Sequence, residues 1–161
     1  MANFLPIAFV DVFDLVASLP KRMGLFSDDK PRVLSLRTPA EANLPVEIND
    51  WVEMSNILTR IEGLGDALGG VEFGSIFLEM LDPGTCLSWR RKSGEYYEKH
   101  SRLYLPLRTN PAAMMYSGTE SASPQVGCLT LVNVRMAHSA INLGDWPRIS
   151  SIIYFRKKEP T

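Results

Sequence analysis

The chain has two histidines, His100 and His138, and that scarcity narrows the chemistry it can do. Around the second lies the most informative segment, His138-Ser139-Ala140-Ile141-Asn142-Leu143-Gly144-Asp145-Trp146-Pro147-Arg148-Ile149-Ser150. It follows a predicted strand, passes through an Asn-Leu-Gly-Asp turn and enters a last strand, where period-two alternation sets Arg148 and Ser150 on one face. A neutral imidazole at the rim of a β-barrel can ligate a divalent metal. An Arg one strand further, with a hydroxyl two residues on, can clamp a carboxylate through a charge-assisted fork. Metal and clamp would then hold opposite ends of one small dicarboxylate. The competing reading makes His138 a satisfied core histidine, since a neutral imidazole tolerates partial burial. Other chemistries lack their signatures. There is no GxSxG elbow for a Ser-His-Asp hydrolase, and Gly63, Gly65, Gly69 and Gly70 end a helix where a phosphate-binding or dinucleotide loop must begin one.

Elements must position these residues, and the pattern along the chain suggests which. Short apolar runs broken by Pro20, Gly24, Ser27 to Pro31, Pro39 and Pro45 occupy the first part, with a short helix expected over Val10 to Leu19 and a strand over Arg32 to Leu36. A helix is expected after Asn49: Asp50 and Glu53 have capping-box spacing, and Trp51, Met54, Ile57, Leu58, Ile61, Leu64 and Leu68 recur at helical period. This stripe reads as a helix packed against a sheet rather than as a cofactor box. From Val71 the period changes. Strands are expected over Ser75 to Leu81, Cys86 to Arg90, Arg102 to Leu107, Ala113 to Tyr116, Gly127 to Val134 and Arg148 to Phe155, with a turn at Asp82-Pro83-Gly84. Gly118 to Pro124 reads as a solvated loop and Arg156 to Lys158 as a charged tail. The expected fold class is mainly β with N-terminal helices (α+β), a sandwich or jelly-roll barrel over 71–156 covered by residues 1–70, all in one domain of 1–161.

Composition agrees with one globular domain: 161 residues, 45% hydrophobic and 22% charged, 17 basic side chains against 18 acidic. A chain of this length buries roughly two thirds of its unfolded surface, enough for a core without metal or disulfide staples. A net charge of -1 argues against nucleic acid held by phosphate neutralisation. Cys86 and Cys128 lack metal-site spacing and read as small core residues. The apolar run from Phe4 to Leu19 is interrupted by Asp11 and Asp14 with no basic residue before it, so a cytoplasmic location is expected. No stretch reaches the roughly 20 apolar residues of a membrane span.

Three blocks carry a family resemblance: Leu81-Asp82-Pro83-Gly84-Thr85, then Arg102-Leu103-Tyr104-Leu105-Pro106-Leu107-Arg108-Thr109-Asn110, then His138-Ser139-Ala140-Ile141-Asn142-Leu143-Gly144 with Arg148. In order and spacing they resemble the aspartyl/asparaginyl β-hydroxylase family of iron(II) and 2-oxoglutarate dependent dioxygenases. The first half of the chain matches that family only in general layout. The resemblance implies a double-stranded β-helix, the cupin-like form of the jelly roll, with Fe(II) as metal and 2-oxoglutarate as co-substrate. It implies His138 as the distal iron ligand and Arg148 as the Arg that binds the far carboxylate of 2-oxoglutarate, with Ser150 beside it. Arg102 would reach the co-substrate from a neighbouring strand. Tyr104 would stand where many members have a His, and its phenol could still donate one hydrogen bond.

One block departs from the family. Members place a His-x-Asp, or a His alone, between the Pro-Gly-Thr turn and the Arg strand, and this chain offers Ser88-Trp89-Arg90-Arg91-Lys92-Ser93-Gly94-Glu95. A rescue is conceivable: on a strand His100, Arg102 and Tyr104 share a face, so His100 could join His138 and Glu95 in a two-His-one-carboxylate site. The opposing reading makes Arg90 to His100 a solvated hairpin with His100 exposed.

Three functions follow. The first is a dioxygenase that hydroxylates an amino acid, a peptide side chain or a small metabolite, with Arg90, Arg91 and Arg135 near the mouth suiting an anionic substrate. The second is an inactive relative that binds a carboxylate ligand or a protein partner without iron chemistry. The third is a structural subunit whose Trp89, Tyr96, Tyr97, Tyr116 and Trp146 form a protein-facing patch. Substrate and oligomeric state are left open by the sequence.

Overall fold

The computed structural model describes residues 2–38, 47–67 and 69–160, so Pro39, Pro45 and Leu68 lie outside the described residues. In chain order the elements are β1 (Phe4–Phe9), α1 (Phe13–Ser18) continuing into a 3-10 turn (Leu19–Leu25), β2 (Arg32–Arg37), a second 3-10 turn (Ile48–Asp50) and α2 (Val52–Asp66). Then come β3 (Val71–Leu81), β4 (Thr85–Cys86), α3 (Glu95–Lys99), β5 (Ser101–Arg108), β6 (Ala113–Ser117), β7 (Glu120–Ala122), β8 (Cys128–Val132), β9 (His138–Asn142) and β10 (Arg148–Lys157). They form two antiparallel sheets, one of six strands in the order β1-β8-β5-β10-β3-β2 and one of four in the order β4-β9-β6-β7. Mainly β with N-terminal helices was expected, and the chain is a double-stranded β-helix.

Strand alternation divides the large sheet into two faces. On β5, Leu103, Leu105 and Leu107 join Ile149 and Ile153 of β10 and Ile76, Leu78 and Met80 of β3 in an aliphatic core. Met54, Ile57, Leu58 and Ile61 of α2, together with Leu15 of α1, close that core from outside the sheet. The alternate residues, Arg102 and Tyr104 on β5 and Arg148, Ser150, Ile152 and Tyr154 on β10, face the smaller sheet. Register ties them into rows: Ser150 stands between Glu79 and Pro106, and Ile152 between Phe77 and Tyr104.

Several expectations are corrected. The helix expected over Val10 to Leu19 is α-helical only over Phe13–Ser18, and the Phe4–Phe9 segment before it, to which no element was assigned, is β1, an edge strand on β8. Residues 1–70 are therefore more than a cover, since β1 and β2 form both edges of the large sheet. No capping box forms at α2. Trp51 occupies the N-cap without a side-chain cap, and its indole is wholly buried with Nε1 donating to Ser18 Oγ at 2.9 Å. Burying an indole is worth about 3–5 kcal/mol against about 1 kcal/mol for a cap, so packing sets the helix start. The Gly118 to Pro124 loop contains β7, and the charged tail is the end of β10, where Arg156 pairs with Glu72 at 2.9 Å. Cys86 is exposed and Cys128 half-buried, neither a core residue. No helix among the described residues is long and apolar enough to cross a membrane.

Candidate active site

Between the sheets lies a cavity lined by Glu79, Arg90, Arg102, Tyr104, His138 and Arg148, with Leu87, Met115 and Val132 among its apolar walls. Two turns deliver these residues. Gly84, at φ +77 in the turn after β3, carries the chain into the smaller sheet, and its N–H donates to the Asn142 carbonyl at 2.7 Å. Asn142 itself is fully buried. Its amide donates to the Leu81 carbonyl at 2.8 Å and the Trp146 carbonyl at 3.0 Å, while its oxygen accepts from Asn110 at 2.8 Å and from Gly144 N–H at 3.1 Å. A Cβ at Gly144 would collide with the Asn110 amide. This knot pins the chain between β9 and β10, and so fixes His138 relative to Arg148.

Arg148 is 2% exposed. Its Nη2 donates to the Tyr104 hydroxyl and lies 3.7 Å from Glu79 Oε1. The Ser150 hydroxyl donates to the same phenol oxygen at 2.8 Å. With two hydrogen bonds accepted, the phenol keeps its own O–H to donate. Burial lowers the Arg148 pKa to about 10, with Glu79 opposing that shift, so the guanidinium stays charged at neutral pH. Its Nη1 is buried without a partner. Arg102 stands on the neighbouring strand, 5.9 Å above the Tyr154 ring, and its Nε is also buried and unpartnered.

His138 enters from the opposite sheet. It is the first residue of β9, and exchanges backbone hydrogen bonds with Arg90 at 2.8 and 3.0 Å. Its ring is not the fully satisfied core histidine of the competing reading. Nδ1 is 3.0 Å from the Met136 carbonyl, which can only accept, so Nδ1 carries the hydrogen. Nε2 is buried with no partner. Burial first, and then the charges of Arg102, Arg90 and Lys92, push its pKa down against the pull of the Met136 carbonyl, so the ring is neutral with a bare lone pair on Nε2.

The structure thus brings His138, Arg148, Arg102 and Tyr104 to one cavity, with Ser150 bonded to its phenol. It does not bring His100 or Glu95 there. The expected ligand set of His138, His100 and Glu95 is corrected, for two physical reasons. His100 precedes β5, stacks on Tyr96 at 4.1 Å between ring centroids and lines a separate pocket with Gly74 and Arg156. Glu95 is exposed in the first turn of α3, where Lys99 pairs with it at 2.5 Å and holds its carboxyl below the usual range. His100 is nevertheless half-buried rather than exposed, so the solvated-hairpin reading is also incomplete. The aromatic patch breaks up likewise: Tyr96 and Tyr97 pack on Tyr154, Trp89 leans on Tyr116, and Trp146 donates to the Thr109 carbonyl.

The donors around His138 do not suit iron(II). Among the described residues no three His, Cys, Asp or Glu side chains converge to hold a metal. Glu79 is the cavity's carboxylate, and it faces Arg148. A cation at Nε2 would meet the charges of Arg90, Arg102 and Lys92. Arg90, expected near the mouth, lines the cavity, whereas Glu79, Asn110 and Asn142 were not singled out from the sequence. For Glu79 a signal existed, a lone carboxylate inside the apolar run Ser75 to Leu81.

No protein-family model and no curated protein matches this chain. Solved structures do resemble it. A Pseudomonas putida prolyl-4-hydroxylase superposes with a TM-score of 0.66 at 14% identity, covering 98% of this chain and 94% of that one. A viral collagen prolyl hydroxylase from Paramecium bursaria Chlorella virus-1, in complex with 2-oxoglutarate, gives 0.63 at 10% identity over 98% and 97%. An oxidoreductase of the 2-oxoglutarate and Fe(II) oxygenase family from Burkholderia pseudomallei gives 0.59 at 10% identity over 98% and 96%. At such identities the likeness carries the fold and not the aspartyl/asparaginyl branch: this chain has the double-stranded β-helix of the 2-oxoglutarate and iron(II) oxygenases.

Proposed function

We propose that this protein binds a small dicarboxylate of the size of 2-oxoglutarate, one carboxylate held by Arg148 with the Tyr104 hydroxyl, the other end within reach of Arg102. One observation carries the reading, the buried Arg148 Nη1 that has no acceptor in the protein. A guanidinium donor left unpaired in a dry cavity costs about 1–3 kcal/mol or more, and a carboxylate relieves it through a charge-assisted bond. The viral hydroxylase bound to 2-oxoglutarate on the same fold supports the choice of ligand, as does the resemblance of the Arg-bearing blocks to those of the aspartyl/asparaginyl β-hydroxylases. No iron step belongs to this reading, because the donors around His138 do not suit the metal. Calorimetric titration with 2-oxoglutarate in the presence of a chelator tests it. Arg148→Ala should weaken binding by about 2–4 kcal/mol, the range for truncating one partner of a buried charge pair; unchanged affinity would overturn the reading.

A second reading keeps the enzyme, a 2-oxoglutarate dependent dioxygenase that hydroxylates an amino acid, a peptide side chain or a small metabolite. The bare Nε2 of His138, in the same cavity as Arg148, is its support, although it asks for iron(II) at a donor set that does not suit the metal. Anaerobic addition of Fe(II) and 2-oxoglutarate should then give a visible charge-transfer band, and oxygen should release succinate and carbon dioxide. Neither signal, with 2-oxoglutarate still bound, leaves the binding function alone.

A further inference from the structure

Three buried polar atoms of the cavity residues have no partner: Arg148 Nη1, Arg102 Nε and His138 Nε2. The first two are donors. The third is an acceptor, because the Met136 carbonyl takes the ring's one hydrogen at Nδ1. Their side chains are at least nine-tenths buried, with Arg148 at 2%, Arg102 at 7% and His138 at 7% exposure. A ligand that satisfies all three presents carboxylate oxygens to the guanidinium groups and one hydrogen to the imidazole. A 2-oxo acid has only acceptors at that carbon and would set a carbonyl oxygen against a lone pair. An ammonium group has the hydrogen, but it would enter among Arg90, Arg102 and Lys92, whose charges already depress protonation of His138. A hydroxyl brings the hydrogen without the charge.

Building on the dicarboxylate reading, we propose that His138 makes this cavity prefer, without metal, a 2-hydroxy dicarboxylate over the 2-oxo acid of the same length. The 2-hydroxyl donates to His138 Nε2, and the 1-carboxylate beside it accepts from Arg102. The distal carboxylate accepts from Arg148 and the Tyr104 hydroxyl. Satisfying one buried acceptor is worth about tenfold or more in affinity, the fold-change that corresponds to the usual cost of leaving such a group unpaired.

The test titrates the full chain, in chelator, with 2-hydroxyglutarate, 2-oxoglutarate and glutarate. The expected order places 2-hydroxyglutarate about tenfold or more above the other two, with His138→Phe abolishing that gap between the three ligands. In protein labelled with 15N-histidine, the Nε2 resonance should shift with 2-hydroxyglutarate and stay with glutarate, a readout that needs no variant. Equal affinities with an unmoved Nε2 resonance would overturn the preference while leaving the dicarboxylate reading intact. Absence of binding by all three would overturn that reading, and this inference with it.

Discussion

The two faces of the six-stranded sheet are built from the same strands and serve opposite ends. Toward α1 and α2, Leu103, Leu105, Leu107, Ile149 and Ile153 make a dry aliphatic core. Toward the smaller sheet, residues one position away on the same strands are Arg102, Tyr104, Arg148 and Ser150, all buried and all polar. Hydrophobic burial on the first face offsets the desolvation of charge on the second. This chain therefore carries a buried polar interior where an aliphatic one would fold more easily, and the proposed ligand would pair the donors that interior leaves open.

The largest effect should come from breaking the buried pair. Glu79→Gln leaves Arg148 without its counter-charge and should lower stability by about 3–5 kcal/mol in urea unfolding. Adding Arg148→Met to Glu79→Gln should regain most of that loss while carboxylate binding disappears. A double variant no more stable than the single one would mean the polar face is held by contacts other than this pair. On the opposite face, Leu105→Ala removes a fully buried side chain and should cost about 2–5 kcal/mol without changing the affinity of the folded fraction for dicarboxylates. A changed affinity would show that the two faces are not independent.

Smaller effects sharpen the comparison at its margin. Gly144→Ala drives a methyl into the Asn110 amide, an overpacking worth about 1–3 kcal/mol, and should weaken carboxylate binding by displacing Arg148. A variant with wild-type stability would place no tension on the Asn110–Asn142 knot. The smallest effect is on pH. His138 has a folded pKa below its ordinary 6.5, so the unfolded chain binds more protons. Its contribution to stability is therefore complete above about pH 6.5 and declines as the pH falls below that value toward the folded pKa. The urea midpoint should drop over that acid range in the wild type and drop less in His138→Phe; superimposable pH profiles would show that the imidazole does not titrate differently on folding.

Much of this was legible in the residues. β2, β3, β5, β6, β8 and β10 announced themselves through alternating or continuous apolar runs, and α2 through its stripe. β1 was not, because Phe4 to Phe9 is apolar throughout and carries Pro6, so it shows no period-two alternation. β9 was missed for the opposite reason: His138, Ser139 and Asn142 are polar yet buried, which inverts the signal a strand normally sends. The partnership of His138 with Arg148 was expected from the spacing of His138, Arg148 and Ser150, and that of Arg102 from the resemblance of its block; His138, Arg148 and Arg102 line one cavity, and Ser150 bonds within it. The proposed partnership with His100 and Glu95 failed, because strand parity names a face but not where a strand begins. His100 falls just before β5 and turns onto Tyr96.

By itself the sequence determined the β-rich class, the strands that bear Arg102, Tyr104, Arg148 and Ser150 and the absence of a His-x-Asp block, since all three follow from local residue order. Tertiary structure alone decided that Glu79 joins the cavity, that the Asn110–Asn142 pair locks the approach of β9 to β10, and that His138 is neutral with its Nε2 bare. Those facts depend on burial and on neighbours far away along the chain. Desolvation and the field of distant charges exist only once the two sheets have closed on each other.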